Sequence, residues 1–387
     1  MAAGSMIVLA FLAFIGLGVP KAAFGTAWPS VAGDLERDIA ELGVVLVVYI
    51  GGYFIAAALN GTMMRRFGLG RSLVISGAAG SAALMGYTVA GRWSVLLGAA
   101  VLLGISGGMV DAGINAYVAL RHSTRVMGFL HASFGIGATV GPLLITITLG
   151  LGLTWRWGYV MMTIAQLALT AGFWATRRRW DAPGGRRIAA PPVPTGGHRR
   201  ATLLGLAVFF LYAGIEVGAG QWAFSLLVEG RGYGDTFAGL MVSAYWGALA
   251  VGRVILGAAG DRFRHASVLR TAMTLAAIGV FAFWWDPVPG VAAAGLIVTG
   301  LALAPIFPLL MTGTPGRLGS EVVPSAVGYQ LAAATAGAAL IPGGLGALVA
   351  WFGLEIIGPT LLAAALAMPL VAGAGGFLWR GPRTAMA

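Results

Sequence analysis

The chain contains no cysteine and only one lysine, Lys21. Without cysteine there is no disulfide framework, no thiolate nucleophile and no thiolate metal site. Charge is scarce as well. Asp, Glu, Lys and Arg make up 10% of 387 residues, where soluble domains carry about 25%. At that level a chain of this length lacks the polar groups to cover itself in water. HExxH, a Walker-type phosphate loop and a Ser–His–Asp set are all missing, and two unlinked histidines in or beside apolar segments do not make a metal site. No enzyme, cofactor or metal is expected.

What is present is apolar. Hydrophobic residues make up 58% of the chain, and runs of about 20 of them recur along its length, enough for a helix to cross a bilayer. The pattern predicts an all-α membrane protein with twelve transmembrane helices, among them 6–29, 40–62, 70–91 and 203–228. The 62 glycines suit closely packed membrane helices. The first apolar stretch, from Met6 to Pro29, is too long for the core of a cleavable leader and has no basic segment before it. It reads as the first span.

Basic residues sort by side. With the N-terminus inside, 18 arginines fall in inner loops, while only Arg37, Arg92, Arg156 and Arg231 fall outside. This asymmetry predicts cytoplasmic termini, and an inner surface drawn to anionic headgroups rather than a nucleic-acid binder. One long polar segment, TRRRWDAPGGRRIAAPPVPTGGHRR at 176–200, reads as a cytoplasmic linker. It divides the chain into bundles of six helices at 1–175 and 201–387.

The two bundles repeat one pattern. At an offset of 196, Gly61 aligns with Gly257, Arg66 with Arg262, Tyr49 with Tyr245 and Gly104 with Gly300. Further on the offset is 200, aligning Gly137 with Gly337 and Pro142 with Pro342, so four residues are added between helices 10 and 11. Parallel repeats of this kind occur in transporters that bind a solute near the midplane.

Twelve spans, a central linker and the paired motif NGTMMRRFGLGR and LGAAGDRFRH resemble the major facilitator superfamily over the whole chain. The first copy carries Arg65 where the motif's acidic residue usually stands, and the second keeps Asp261. The resemblance implies a gating role for Gly61, Arg65, Arg66, Gly257, Asp261 and Arg262. DAGINAYV (111–118), LHASFGIGATVGP (130–142), YAGIEVGAGQW (212–222) and APIFPLL (304–310) resemble bacterial members related to the fucose–proton symporter family. By that resemblance Asp111 serves proton coupling and Asn115 sugar binding. Lys21 stands in helix 1, where relatives tend to carry an acid. Residues Gly128, Gly137, Gly141 and Pro142 also match part of a motif similar to drug–proton exporters, and read first as a packing feature.

Charges at bilayer depth are expensive, so they usually face an interior and carry function. Lys21 either snorkels to the outer headgroups or faces a cavity, and the small residues of GVPKAAFG favour the cavity. Asp111 and Asn115, four apart, share one helical face. Glu216 lies mid-span in helix 7, one place from the repeat position of Lys21. The superfamily architecture would bring Lys21, Asp111 and Glu216 to one chamber, with Lys21 neutralising one carboxylate and the other, Asp111 by preference, carrying the proton. His131 is a solute ligand or a packed histidine. Arg253 reads as a brace for Asp261 or for backbone carbonyls, within the gate. Gln221, Trp222 and Tyr245 are the remaining solute-binding candidates. Pro305 and Pro308 give helix 10 a gating bend or a fixed kink.

The function implied is a secondary active transporter in a bacterial inner membrane, moving a small polar solute, sugar-like by resemblance, with protons. A proton-driven exporter of amphipathic compounds and a carrier of an organic anion bound by Lys21 remain alternatives. Partners are the small-molecule solute, protons and the lipid bilayer, and a monomer is the expected working unit.

Overall fold

The computed structural model describes residues 2–180, 199–259, 265–288, 290–314 and 323–378. Among them there is no strand, and twelve helices are long and apolar enough to cross a membrane. These are span 1 (Met6–Asp34), span 2 (Ile39–Ala56), span 3 (Leu59–Thr88), span 4 (Trp93–Arg121), span 5 (Arg125–Gly150) and span 6 (Trp155–Trp180), followed by span 7 (Thr202–Gly230), span 8 (Asp235–Ala258), span 9 (His265–Trp285), span 10 (Val291–Thr312), span 11 (Val327–Phe352) and span 12 (Leu354–Ala374).

Boundaries differ from the sequence pattern in four places. Span 1 continues past Pro29 to Asp34, with Pro20 and Pro29 both inside the helix. The motif after span 2 is helical rather than a loop. Helix runs through Gly61, Arg65 and Arg66, and the break falls at Gly68, inside Leu59–Thr88, where a φ of 78° and ψ of 169° interrupt the helix. A positive φ costs glycine nothing. Span 6 extends to Trp180, five residues into the segment assigned to the linker, and residues 181–198 lie outside the described set. In span 10 the helix stops at Leu303 and restarts at Ile306, where Pro305 cannot donate a backbone bond.

Two compact units result, one of residues 1–187 with 227–243 and one of 188–226 with 244–387. Each is built on glycine contacts that the repeat reproduces. In unit 1 Gly104 meets the carbonyl of Tyr49, and in unit 2 Gly300 meets the carbonyl of Tyr245. Gly137 likewise lies against the carbonyl of Ile15 between spans 5 and 1, and Gly337 against that of Phe210 between spans 11 and 7. A side chain at any of the four would occupy space taken by a backbone oxygen, so the aligned glycines are contact points between helix pairs. The motif shared with exporters therefore has a packing explanation in the contact of spans 1 and 5.

One end of unit 1 is stapled by polar bonds. Asp34 receives the indole Nε1 of Trp155 at 2.8 Å and the guanidinium of Arg156, which also donates to the carbonyl of Ala90 at 2.9 Å. Trp28 Nε1 donates to the carbonyl of Ile39 at 2.7 Å. Two of the four arginines assigned to the outer side are engaged here, Arg156 in this staple and Arg37 over the Trp93 ring at 5.4 Å.

Replacing Gly137 by leucine is expected to lower the thermal melting temperature of the detergent-purified protein, since overpacking costs about 1–3 kcal/mol. Gly128→Ala, on the same helix with open space around it, serves as the control and leaves the melt unchanged.

Candidate functional site

Helix length sets the depth of each charge. Because span 1 ends at Asp34, Lys21 lies thirteen residues from that end, about 20 Å along the axis at the helical rise. A lysine stem is far too short to reach the headgroups from there. Glu216 is likewise at the centre of Thr202–Gly230, and Asp111 is ten residues from the C-terminal end of span 4.

The two carboxylates are held differently. In unit 1, Asp111 accepts the hydroxyl of Tyr53 from span 2 and, at 2.8 Å, the Nδ2 amide of Asn115 one turn along its own helix. Both donors are neutral. In unit 2, Glu216 accepts the hydroxyl of Tyr212 and forms a salt bridge of 3.2 Å with Arg253 of span 8. Arg253 Nη2 also donates to the Tyr212 hydroxyl at 3.1 Å, so one guanidinium closes a three-membered cluster. The Glu216 side chain is only 13% exposed. Arg253 thus pairs with Glu216, so the counter-ion of Glu216 comes from its own half, while the expected brace to Asp261 falls outside the described residues.

The repeat makes this contrast sharper. The position of span 10 aligned with Asp111 is Phe307, whose ring lies 5.8 Å from that of Tyr212. Tyr49 and Tyr245 align and both lie against the helix of their unit's acid: the Tyr49 hydroxyl beside Gly107 of span 4, and the Tyr245 hydroxyl donating to the backbone carbonyl of Glu216 at 2.7 Å. Each unit keeps one mid-span acid, on its fourth span in unit 1 and its first in unit 2.

Lys21 is half-buried, with its ammonium 5.4 Å from the centroid of the Phe134 ring on span 5. His131, one turn before Phe134, is exposed and meets Phe14 edge-on at 5.7 Å. Spans 1 and 5 therefore present the ammonium, the imidazole and two rings along one contact, fixed by glycines Gly18, Gly137 and Gly141.

Of the other candidates, Gln221 is buried. Trp222 is fully buried and donates to the carbonyl of Pro342 at 2.9 Å. Tyr245 is also fully buried, stacked edge-on with Trp246 at 5.2 Å. Both rings are engaged in packing in this conformation. Arg65 bonds Thr62 at 3.2 Å, Arg66 lies over the Phe67 ring, and Gly257 is exposed with nothing near its Cα substituent position. Asp261 and Arg262 lie outside the described residues. Tyr53 and the pairing of Arg253 are what sequence reasoning missed. Tyr212 was visible as the residue one turn before Glu216, on the same helical face.

Residues 6–237 match the family model of the Major Facilitator Superfamily. The chain belongs to that superfamily. Relatives of this Major Facilitator Superfamily member include the glucose/mannose transporter GlcP of Bacillus subtilis, 22% identical over 311 residues and covering 77% of each chain. The 3-(3-hydroxy-phenyl)propionate transporter of Escherichia coli is 27% identical over 364 residues, covering 85% of this chain and 87% of the relative. Among solved structures a D-xylose-proton symporter superposes with a TM-score of 0.77 at 16% identity, over 95% of this chain and 97% of that one, a likeness of fold. The relatives are membrane transporters and not enzymes, and this chain is a multi-pass membrane transporter.

Removing one partner of a buried ion pair strands the other charge, at about 3–5 kcal/mol. Arg253→Met alone is therefore expected to lower the melting temperature more than the double change Arg253→Met with Glu216→Gln, measured by thermal unfolding in detergent.

Proposed function

We propose that this transporter is a secondary active carrier that moves a small hydroxylated solute by alternating access, coupled to protons at Asp111. The observation that carries this is the unequal treatment of the two mid-span acids. Glu216 has a guanidinium as counter-ion, so its charge is offset within the pair. Asp111 is met by a phenol and an amide, which can serve either protonation state with a rotation of the hydroxyl or the amide. A carboxyl in that setting is able to take up a proton on one side of the membrane and give it up on the other.

Several residues fit solute contact. Lys21, Asn115 and His131 bring a cation, an amide and an imidazole from spans 1, 4 and 5 of unit 1. The hydroxylated character of the solute rests on the resemblance to the fucose–proton symporter family and on relatives whose names specify glucose, mannose and a hydroxyphenyl acid. A bacterial inner membrane is the setting this implies. The gating assignment of the motif around Gly61 and Gly257 remains part of the proposal, with the break at Gly68 as its pivot. Export of amphipathic compounds draws no support from the Gly137–Pro142 motif once its glycines are engaged in helix contacts.

In proteoliposomes with an imposed pH gradient, Asp111→Asn is expected to abolish accumulation while solute counterflow persists. Undiminished gradient-driven accumulation would remove Asp111 from coupling.

A further inference from the structure

Charge balance at the centre of the membrane goes beyond the coupling site and bears on the solute itself. The mid-span charges named above number four, and each unit holds one of each sign. Unit 2 has Glu216 and Arg253, joined in a salt bridge. Unit 1 has Lys21 and Asp111. The second pair is the one in which a charge can be removed, because Asp111 is the carboxyl held by neutral donors. The other titratable groups at this depth on the spans packed against span 4 are Tyr49 and Tyr53 on span 2 and His131 on span 5. With the tyrosines and histidine neutral, unit 1 is neutral when Asp111 is ionised and carries +1 when it is protonated.

The choice of lysine fits this. The chain uses arginine for every other cation, and two of those arginines hold two partners each, Arg253 through Nη2 to Glu216 and Tyr212 and Arg156 through Nη1 and Nη2 to Asp34 and Ala90. A guanidinium suits such permanent two-point contacts. An ammonium is a compact charge with rotatable donors, suited to a contact made and broken in each cycle. Lys21 sits about 20 Å from the end of its helix with its ammonium over the Phe134 ring, and the same pair of spans carries His131 edge-on to Phe14. Those surroundings accept the flat or apolar body of a solute.

We infer that the solute is a hydroxylated monocarboxylate, carried together with one proton as a neutral load, with Lys21 supplying its counter-charge. This rests on the reading of Asp111 as the coupling acid. The proton adds to the Asp111 carboxylate on one side of the membrane and leaves from it on the other, and no covalent bond of the solute changes. The empty carrier is neutral through Lys21 and Asp111. The full carrier is neutral through Lys21 and the solute carboxylate. A carrier holding only the proton has a net charge of +1, and one holding only the anion −1. Moving an unbalanced charge through the low-dielectric midplane is penalised, so only the empty and full forms change sides readily. A neutral solute leaves the loaded form at +1 and gains nothing from the arrangement.

The full-length protein in proteoliposomes tests this with labelled D-gluconate and 3-hydroxybenzoate as anionic probes and D-glucose as the neutral one. Uptake of at least one carboxylate is expected under an inward proton gradient, unchanged when a potassium–valinomycin membrane potential of either sign is imposed. Lys21→Gln should weaken its apparent affinity about tenfold or more, the scale of a lost charge-assisted contact, and Lys21→Arg should restore part of it. A thermal melt supplies a second readout, because the double change Lys21→Gln with Asp111→Asn should melt higher than either single change. Uptake of glucose that follows the membrane potential and ignores Lys21→Gln overturns the inference while leaving proton coupling in place. Failure of both carboxylates to be carried or to raise the melting temperature overturns it too, as does a double change no more stable than the singles. Absence of gradient-driven uptake of any probe removes the coupling reading beneath it.

Discussion

Every feature of the site answers to the cost of holding charge where there is no water. A bilayer centre tolerates a carboxylate only with a counter-ion, with donors enough to replace its hydration, or with a proton. The chain uses the first solution for Glu216 and keeps the second and third available for Asp111. That difference turns two otherwise similar acids into a fixed element and a changeable one. The fixed element joins polar groups of two spans, Tyr212 and Glu216 on span 7 with Arg253 and Tyr245 on span 8, and Phe307 of span 10 packs against Tyr212.

The helix framework supports this chemistry through close approach rather than through bulky cores. Glycines Gly104 and Gly300 let a helix rest on the carbonyl of an aligned tyrosine, so Tyr49 and Tyr245 take equivalent places in the two units. From that shared scaffold the sequences diverge in a few polar positions. Tyr53 on span 2 reaches Asp111, and Arg253 on span 8 reaches Glu216. The repeat is thus a common frame carrying two different electrostatic devices.

Much of the architecture was legible in the sequence because a membrane span has a strong signal, a run of apolar residues of fixed length. The aligned glycines were visible for a related reason: only glycine serves where backbone meets backbone. The end of span 1 was misjudged because Pro29 looks like a stop, although a membrane helix accommodates proline inside it. That shifted Lys21 too close to the surface. The break at Gly68 was hidden by polar residues that read as loop yet continue the helix beyond the apolar run. Arg253 was assigned to a near neighbour in sequence, whereas its partner lies 37 residues back on another helix. Tyr53 gave no sign at all, since a tyrosine in an apolar run looks like packing until the acid opposite it, 58 residues away, is in view.

The contact between spans 1 and 5 brackets Lys21 closely. Gly18 lies against the carbonyl of Phe134, Gly137 against that of Ile15 and Gly141 against that of Val19. A joint made of main chain on main chain has no side chains to repack, so the two helices cannot slip past each other by small amounts. The ammonium is consequently mounted on a double beam, and a tug on it is felt by both helices together. Whatever arrives at that amine is registered as a force on two whole spans rather than as a local rearrangement of rotamers.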